Sequence, residues 1–297
     1  MLSRLDSRSP AARRGLSDLS IRNLFIIPTI AFLIVFNIFP LIYSLGYSFT
    51  DFRASSSTPA AFVGLQNYRD LLNDDHVWNN FSVTAKYVLV SVGGQVLLGF
   101  GVALLLNRQL PFKGLFTTLL LLPMMMSPVV VGLFWELLYS PSWGIINHAL
   151  GLGDFAWLSD PDVALFAIAI TDIWMWSPFV MLLCLAGLSA IPQHLYEAAA
   201  IDRAGRWFTF TRITLPLVAP LLLIAVIFRT MEAFKTFDLA FIMSSQETTE
   251  LIAIKLYRLA FQEWQTGPSC ALAYMVLIMV LAITNIYVKY LNRVKER

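Results

Sequence analysis

An all-α membrane protein with six transmembrane helices and both termini in the cytoplasm is the architecture this sequence predicts. Three observations predict it. Charged residues fill only 13% of the 297 positions and apolar ones 58%, for a mean hydropathy of +0.68, where a water-soluble domain of this size carries about 25% charge. Six segments are apolar enough and long enough to cross ~30 Å of hydrocarbon, which takes about 20 helical residues. The basic residues between them alternate from side to side, as the positive-inside rule requires.

In chain order, residues 1–22 form a polar tail with Arg4, Arg8, Arg13, Arg14 and Arg22. That tail is too long and polar for a signal-peptide n-region. The apolar run after it is too long to be a cleaved h-region, so 25–49 is a retained first span. The remaining spans are 83–106, 115–139, 163–187, 217–243 and 271–291. Lys and Arg number five in the N-terminal tail, two at 107–114, three at 188–216 and four from Lys289 to the end, against two, none and two in the 50–82, 140–162 and 244–270 loops. Fourteen against four places the termini and the 188–216 loop inside. The expected organisation is a cytoplasmic tail, 1–22, and one membrane domain, 23–297.

The outer loops read as structured. Residues 62–68 form an apolar turn suited to packing over the bundle, and Trp143 and Trp157 suit the membrane–water interface. A short helix is expected around 250–264. Pro28 and Pro40 interrupt the first span, Pro123 and Pro128 the third and Pro178 the fourth, each expected to kink its helix.

Several classes are excluded. A net charge of +2 without a basic, aromatic-interleaved stripe argues against nucleic acid as a partner. Cys184 and Cys270 fall near opposite membrane faces, which argues against a disulfide, and no Cys/His cluster suggests a metal. No phosphate-binding G-x-x-x-x-G-K-[ST] loop exists, so energy for any ATP-driven work must come from a partner. An intramembrane enzyme would need clustered Ser/His or acidic pairs at depth, and the three histidines lie outside these spans. An ion-driven carrier usually shows inverted repeats and more spans.

The 188–216 insert is polar and helix-forming between two spans. Pro192 suits a first helical turn, 193–204 are mostly good helix formers, and Gly205 fits a helix end before a second short helix at 207–213. Left to itself this reads as an interfacial amphipathic hairpin. Its residues say more: Glu197-Ala198-Ala199, then Asp202, Ala204 and Gly205, then Phe210, Ile213, Leu215-Pro216 and Pro220. That spacing resembles the EAA loop of ABC-importer permeases. One departure is Arg203, directly after the aspartate, where that family usually has glycine.

The resemblance runs along nearly the whole chain. Phe39-Pro40, 47–51, 62–68, 103–108, Leu122-Pro123, Trp135 and 144–147 look like the opening of carbohydrate-importer permeases of the maltose and glycerol-phosphate type, and 228–238 is similar to their fifth-span segment. The resemblance implies a type I ABC importer permease fold in the bacterial inner membrane. It implies a second homologous permease, a pair of cytoplasmic ATP-binding subunits carrying ATP and magnesium, an extracytoplasmic solute-binding protein and surrounding lipid. This chain would hold no cofactor and catalyse nothing. Glu197, Ala198, Ala199, Asp202, Ala204, Gly205, Leu215 and Pro216 would form the coupling surface for the ATPase.

Within the spans, Asp172 and Arg229 lie near mid-bilayer, with Trp174 and Trp176 beside Asp172, and Glu232, Lys235 and Asp238 follow Arg229 at three-residue intervals. Intramembrane charges face the bundle interior or an aqueous cavity. They form either an ion-pair ladder, Arg229–Glu232 and Lys235–Asp238, or the lining of a solute pathway in which the indoles stack on sugar rings. Met124-Met125-Met126 is either packing filler or an adaptable gate.

Overall fold

A computed structural model describes residues 18–108, 110–244 and 249–295; Arg4, Arg8, Arg13 and Arg14 of the expected tail lie outside the described residues. The described residues are helical apart from turns and one isolated antiparallel bridge, Thr50 to Phe62. The first crossing is α1, Asp18–Leu33, joined to α2, Phe39–Ser48, through a wide turn at Ile34–Ile38. In that turn the Phe39 N–H reaches the Ile34 carbonyl, five residues back. The reason follows at Pro40: proline has no N–H and crowds the carbonyl four residues back, and an extra residue in the turn absorbs both defects without breaking the rod.

After α3, Gln66–Leu72, the second crossing α4 runs Asp75–Leu106. It starts eight residues ahead of the expected span because Asp74 caps it, its carboxylate accepting from the His76 N–H at 2.9 Å. The third crossing departs from expectation. Instead of one kinked helix, α5, Lys113–Met125, and α6, Pro128–Leu138, meet at 96°. Met126 and Ser127 are both extended, with ψ of 152° and 136°; Ser127 is so because a residue directly ahead of proline is driven out of the helical region. Counted as one broken crossing, the pair brings the total from five to six.

Next come α7, Ile145–Leu150, and the fourth crossing α8, Pro161–Ser189, unbroken through Pro178. The insert forms α9, Gln193–Ile201, and α10, Arg206–Thr209. α10 is not a separate second arm as expected: through a wide turn at Phe210–Thr214 it runs into α11, Leu215–Ala233, so the fifth crossing spans Arg206–Ala233. The Leu215 N–H reaches the Phe210 carbonyl just before Pro216, repeating the device ahead of Pro40. This crossing also ends ten residues early. The chain breaks at 234–237 before α12, Asp238–Met243, which turns aside to lay Ile242 against Gly132 of α6. α13, Ile252–Tyr257, extended by a wide turn at Arg258–Gln262, matches the helix expected near 250–264, and α14, Thr266–Lys295, is the last crossing.

α4 and α8 form the spine of the bundle. A Cβ on Gly99 would fall 2.5 Å from the Ser177 carbonyl oxygen and 2.7 Å from the Val180 Cβ, so the missing side chain is what lets the two backbones touch. The first crossing instead exposes Phe25, Phe36 and Phe39 and is tied to α14 through α2, where Tyr274 donates to the Leu41 carbonyl. The loops around Asn67, Asn147 and Glu250 are pinned by buried polar groups. Asn67 donates to the Ser48 and Thr50 carbonyls at 2.9 and 2.8 Å. Asn147 accepts from the Trp157 indole at 2.6 Å and donates to the Phe155 carbonyl at 2.8 Å. Glu250 pairs with Arg258 at 2.9 Å and accepts from Asn80 at 3.1 Å.

The turn after α9 is made by Arg203, with φ of +54°. The Ala204 N–H bonds the Ala199 carbonyl at 2.9 Å and the Arg203 N–H bonds the Ala200 carbonyl at 3.1 Å, the double bond pattern of a left-handed helix end. Arginine therefore occupies the conformation that glycine adopts freely, and Gly205, with φ of −68°, does not make the turn. Arg203→Gly should stabilise the permease by about 0.5–1 kcal/mol, read as a raised midpoint of thermal unfolding in nanodiscs.

Candidate functional site

Two regions gather the residues singled out by sequence. The first is the α9–α10 bracket at the end of the bundle. The Tyr196 hydroxyl meets Thr214 Oγ1 at 3.1 Å, and the Phe210 ring lies 6.1 Å from Phe100 and 5.8 Å from Trp207, so the bracket is held against α4 and α11. Its residues divide by direction. Glu197, Ala198, Asp202, Gly205 and Pro216 are exposed, Ala204 and Leu215 are half-buried, and Ala199 is buried against the bundle. Ala199 thus belongs to the inner side of a surface whose outer side presents Glu197 together with Ile201, 81% exposed, and Trp207, 76% exposed. A Cβ on Gly205 would meet nothing within 4 Å.

The second region is a buried polar cluster joining three crossings. α4 contributes Ser91 and Gln95, α8 contributes Asp172 and Trp176, and α11 contributes Arg229. Gln95 donates to Asp172 Oδ2 at 2.7 Å and to Ser91 Oγ at 2.9 Å, and Ser91 also donates to Asp172. Arg229 Nε donates to Gln95 Oε1 at 2.8 Å, and its Nη2 lies 3.4 Å from Asp172 Oδ2. The guanidinium carbon sits 4.5 Å from the centre of the Trp176 ring, close enough for cation–π attraction. Asp172 is 1% exposed and Arg229 3%. The Tyr87 hydroxyl is fully buried beside Asp172.

Beside the cluster lies a cavity of about 130 Å³ lined by Asp172, Trp176, Arg229, Glu232, Lys235 and Asp238, with Thr236 and Pro128 at its edge. Six of the seven expected pathway residues therefore share one space. The ion-pair ladder does not form. Arg229 pairs across helices with Asp172, and Glu232 pairs with Lys235 at 2.8 Å. The Arg229 rung is lost because Asp172 takes the guanidinium from α8, and the Lys235–Asp238 rung because α11 ends at Ala233 and the chain breaks before α12. Trp174 is the seventh residue and lies elsewhere, its ring 5.6 Å from Trp135. It lines an apolar groove of about 380 Å³ with Gly99, Pro123 and Met126. Helical geometry decides this, since Asp172 and Trp176 are four residues apart and share a face, while Trp174 points to nearly the opposite one. Met125, next to the groove's Met126, is 77% exposed.

Sequence reasoning missed Ser91, Gln95 and Tyr87. The signal was present, because Gln95 is the only carboxamide in the 83–106 run and Ser91 precedes it by one helical turn. An amide at that depth needs buried partners.

Residues 95–296 match the family described as "binding-protein-dependent transport system inner membrane component". The chain is 36% identical to the trehalose/maltose transport system permease protein MalF of Thermococcus litoralis, over 90% of this chain and 92% of that protein. It is 31% identical to the sulfoquinovosyl glycerol transport system permease protein SmoG of Agrobacterium fabrum, over 89% and 86%. In fold it is similar to a chain of a bacterial ABC transporter for alginate, crystallised with an alginate pentasaccharide-bound periplasmic protein, at a TM-score of 0.80 and 22% identity over 90% and 92% of the two chains.

Proposed function

This chain belongs to the binding-protein-dependent transport system inner membrane components, and from that premise we propose that it forms half of the path by which a sugar or sugar derivative enters the cell. It is a multi-pass permease subunit of an ABC importer, the ATP-hydrolysing site residing in a separate subunit. In our reading a second, homologous permease completes the path, a pair of cytoplasmic subunits binds ATP and magnesium, and an extracytoplasmic binding protein delivers the solute. Both termini, with the 1–22 tail, and the 188–216 loop lie in the cytoplasm, and 23–297 is the membrane domain.

The observation that carries this reading is the outer face of the bracket. Ile201 and Trp207 are largely exposed near Glu197 and Asp202, on a helix pair that the bundle holds in place. Apolar residues flanked by charge on a rigid element mark a protein interface. Glu197, Ala198, Asp202 and Gly205 would meet the ATPase, while Ala199, Ala204, Leu215 and Pro216 set the bracket's angle to the fifth crossing. ATP-driven closure of the ATPase pair would then pull on Arg206–Ala233 as one rod and reach Arg229 and Glu232 at its far end. The cavity supports the pathway: Asp172, Arg229, Glu232, Lys235 and Asp238 offer hydrogen-bond partners to hydroxyls, and Trp176 offers an apolar face. Trp174, on the apolar groove, would support packing around the break between α5 and α6.

The test is reconstitution of the complex in vesicles. The chain should co-purify with an ATP-binding subunit, and ATP should drive sugar uptake that Trp176→Ala lowers by about tenfold or more. Uptake that persists without the ATP-binding subunit would overturn the proposal.

A further inference from the structure

The charges around the cavity carry a statement about the solute itself. Three carboxylates, Asp172, Glu232 and Asp238, face two cations, Arg229 and Lys235. Each cation is already engaged. Arg229 is held by Asp172 and Gln95 and lies against Trp176. Lys235 is held by Glu232. Asp238, exposed in the first turn of α12, has no ion-pair partner among the described residues. The ionised group left over in this cavity is therefore an anion.

We propose that this cavity selects an uncharged polyhydroxylated solute and turns away sugars bearing a phosphate, sulfonate or carboxylate. The proposal rests on the sugar-import reading above and narrows it. A carboxylate such as Asp238 accepts hydrogen bonds from hydroxyls without needing a countercharge, and Thr236 at the cavity edge donates or accepts equally well. An anionic substituent finds no free cation. To recruit Arg229 it must leave Asp172, buried to 99%, as an uncompensated charge, which is the costly way to break a buried pair. To recruit Lys235 it must displace Glu232 from the 2.8 Å pair and approach the carboxylates of Glu232 and Asp238, which line the same cavity. Like-charge repulsion at about 5–6 Å in a partly wet site weakens binding by roughly a hundredfold.

The experiment uses the importer complex in nanodiscs, without its solute-binding protein, so that the preference read is the permease's own. Equilibrium binding is measured for matched sugars: trehalose, maltose and sucrose against trehalose 6-phosphate, sucrose 6-phosphate and digalacturonate. At least one uncharged sugar should bind tenfold or more tightly than its charged counterpart, and Asp238→Lys should erase or reverse that ratio. Equal or tighter binding of an anionic sugar to the unaltered complex overturns the inference and leaves sugar import standing. Binding of no sugar from either set, with the complex assembled, overturns both.

Discussion

Replacing Asp172 with alanine should destabilise the permease by about 3–5 kcal/mol, because it strands the Arg229 guanidinium in the middle of the bundle. Arg229 is 3% exposed, so water cannot take over the role of the lost carboxylate. The same change removes the acceptor shared by Ser91 and Gln95, leaving further donors short of partners. Arg229→Ala should cost a similar amount by stranding the carboxylate instead. The informative comparison is the double variant Asp172→Asn with Arg229→Met. It removes both charges together, retains an amide that Ser91 and Gln95 can bond, and should recover most of the stability lost by either single change. Unfolding of the purified protein in mixed detergent measures all three. If the two single variants cost no more than the double, the pair is not what binds α4, α8 and α11. Uptake by the double variant then separates the two roles of Arg229: a stable but inactive protein assigns it to the solute path as well as to the fold.

Glu197→Ala should weaken the hold of the ATP-binding subunits by about thirtyfold or more, equivalent to about 2 kcal/mol at the low end of what truncating one member of a desolvated charge pair costs. The permease itself should be unaffected, within about 0.5 kcal/mol, since Glu197 is exposed and alanine is the best helix former. Gly205→Pro is the companion probe. The backbone at Gly205 already has φ of −68° and its Cβ position is open, so proline fits the free permease. Any loss it causes therefore reports on what approaches from outside. Co-purification and solute-stimulated ATP hydrolysis are the measurements. Normal assembly and hydrolysis in both variants would remove the bracket from the coupling path.

How much of this was legible in the sequence differs from one element to the next. The crossings were, because burial in hydrocarbon penalises each charge separately and the penalty leaves a one-dimensional trace. The bracket was too, through the spacing of Glu197, Asp202 and Pro216. Its turn was not: Gly205 fits a helix end by sequence, but the chain keeps the turn at Arg203, where the family usually has glycine, with φ of +54°. The break at Ser127 was half legible. Two prolines announce an interruption, but whether a crossing kinks or splits depends on what the second half packs against, here Ile242 on Gly132. The ladder was misread because Arg229 pairs across helices with Asp172 and because α11 ends at Ala233, ahead of Lys235 and Asp238.

By itself the sequence determined the membrane crossings, which follow from local composition, and the bracket between the fourth and fifth of them, whose spacing carries the resemblance to importer permeases. Only the tertiary structure decided which charge meets which. Partners such as Gln95, Asp172 and Arg229 are separated by 77 and 57 residues along the chain, and pairing across helices depends on their rotation and depth, which no local pattern encodes.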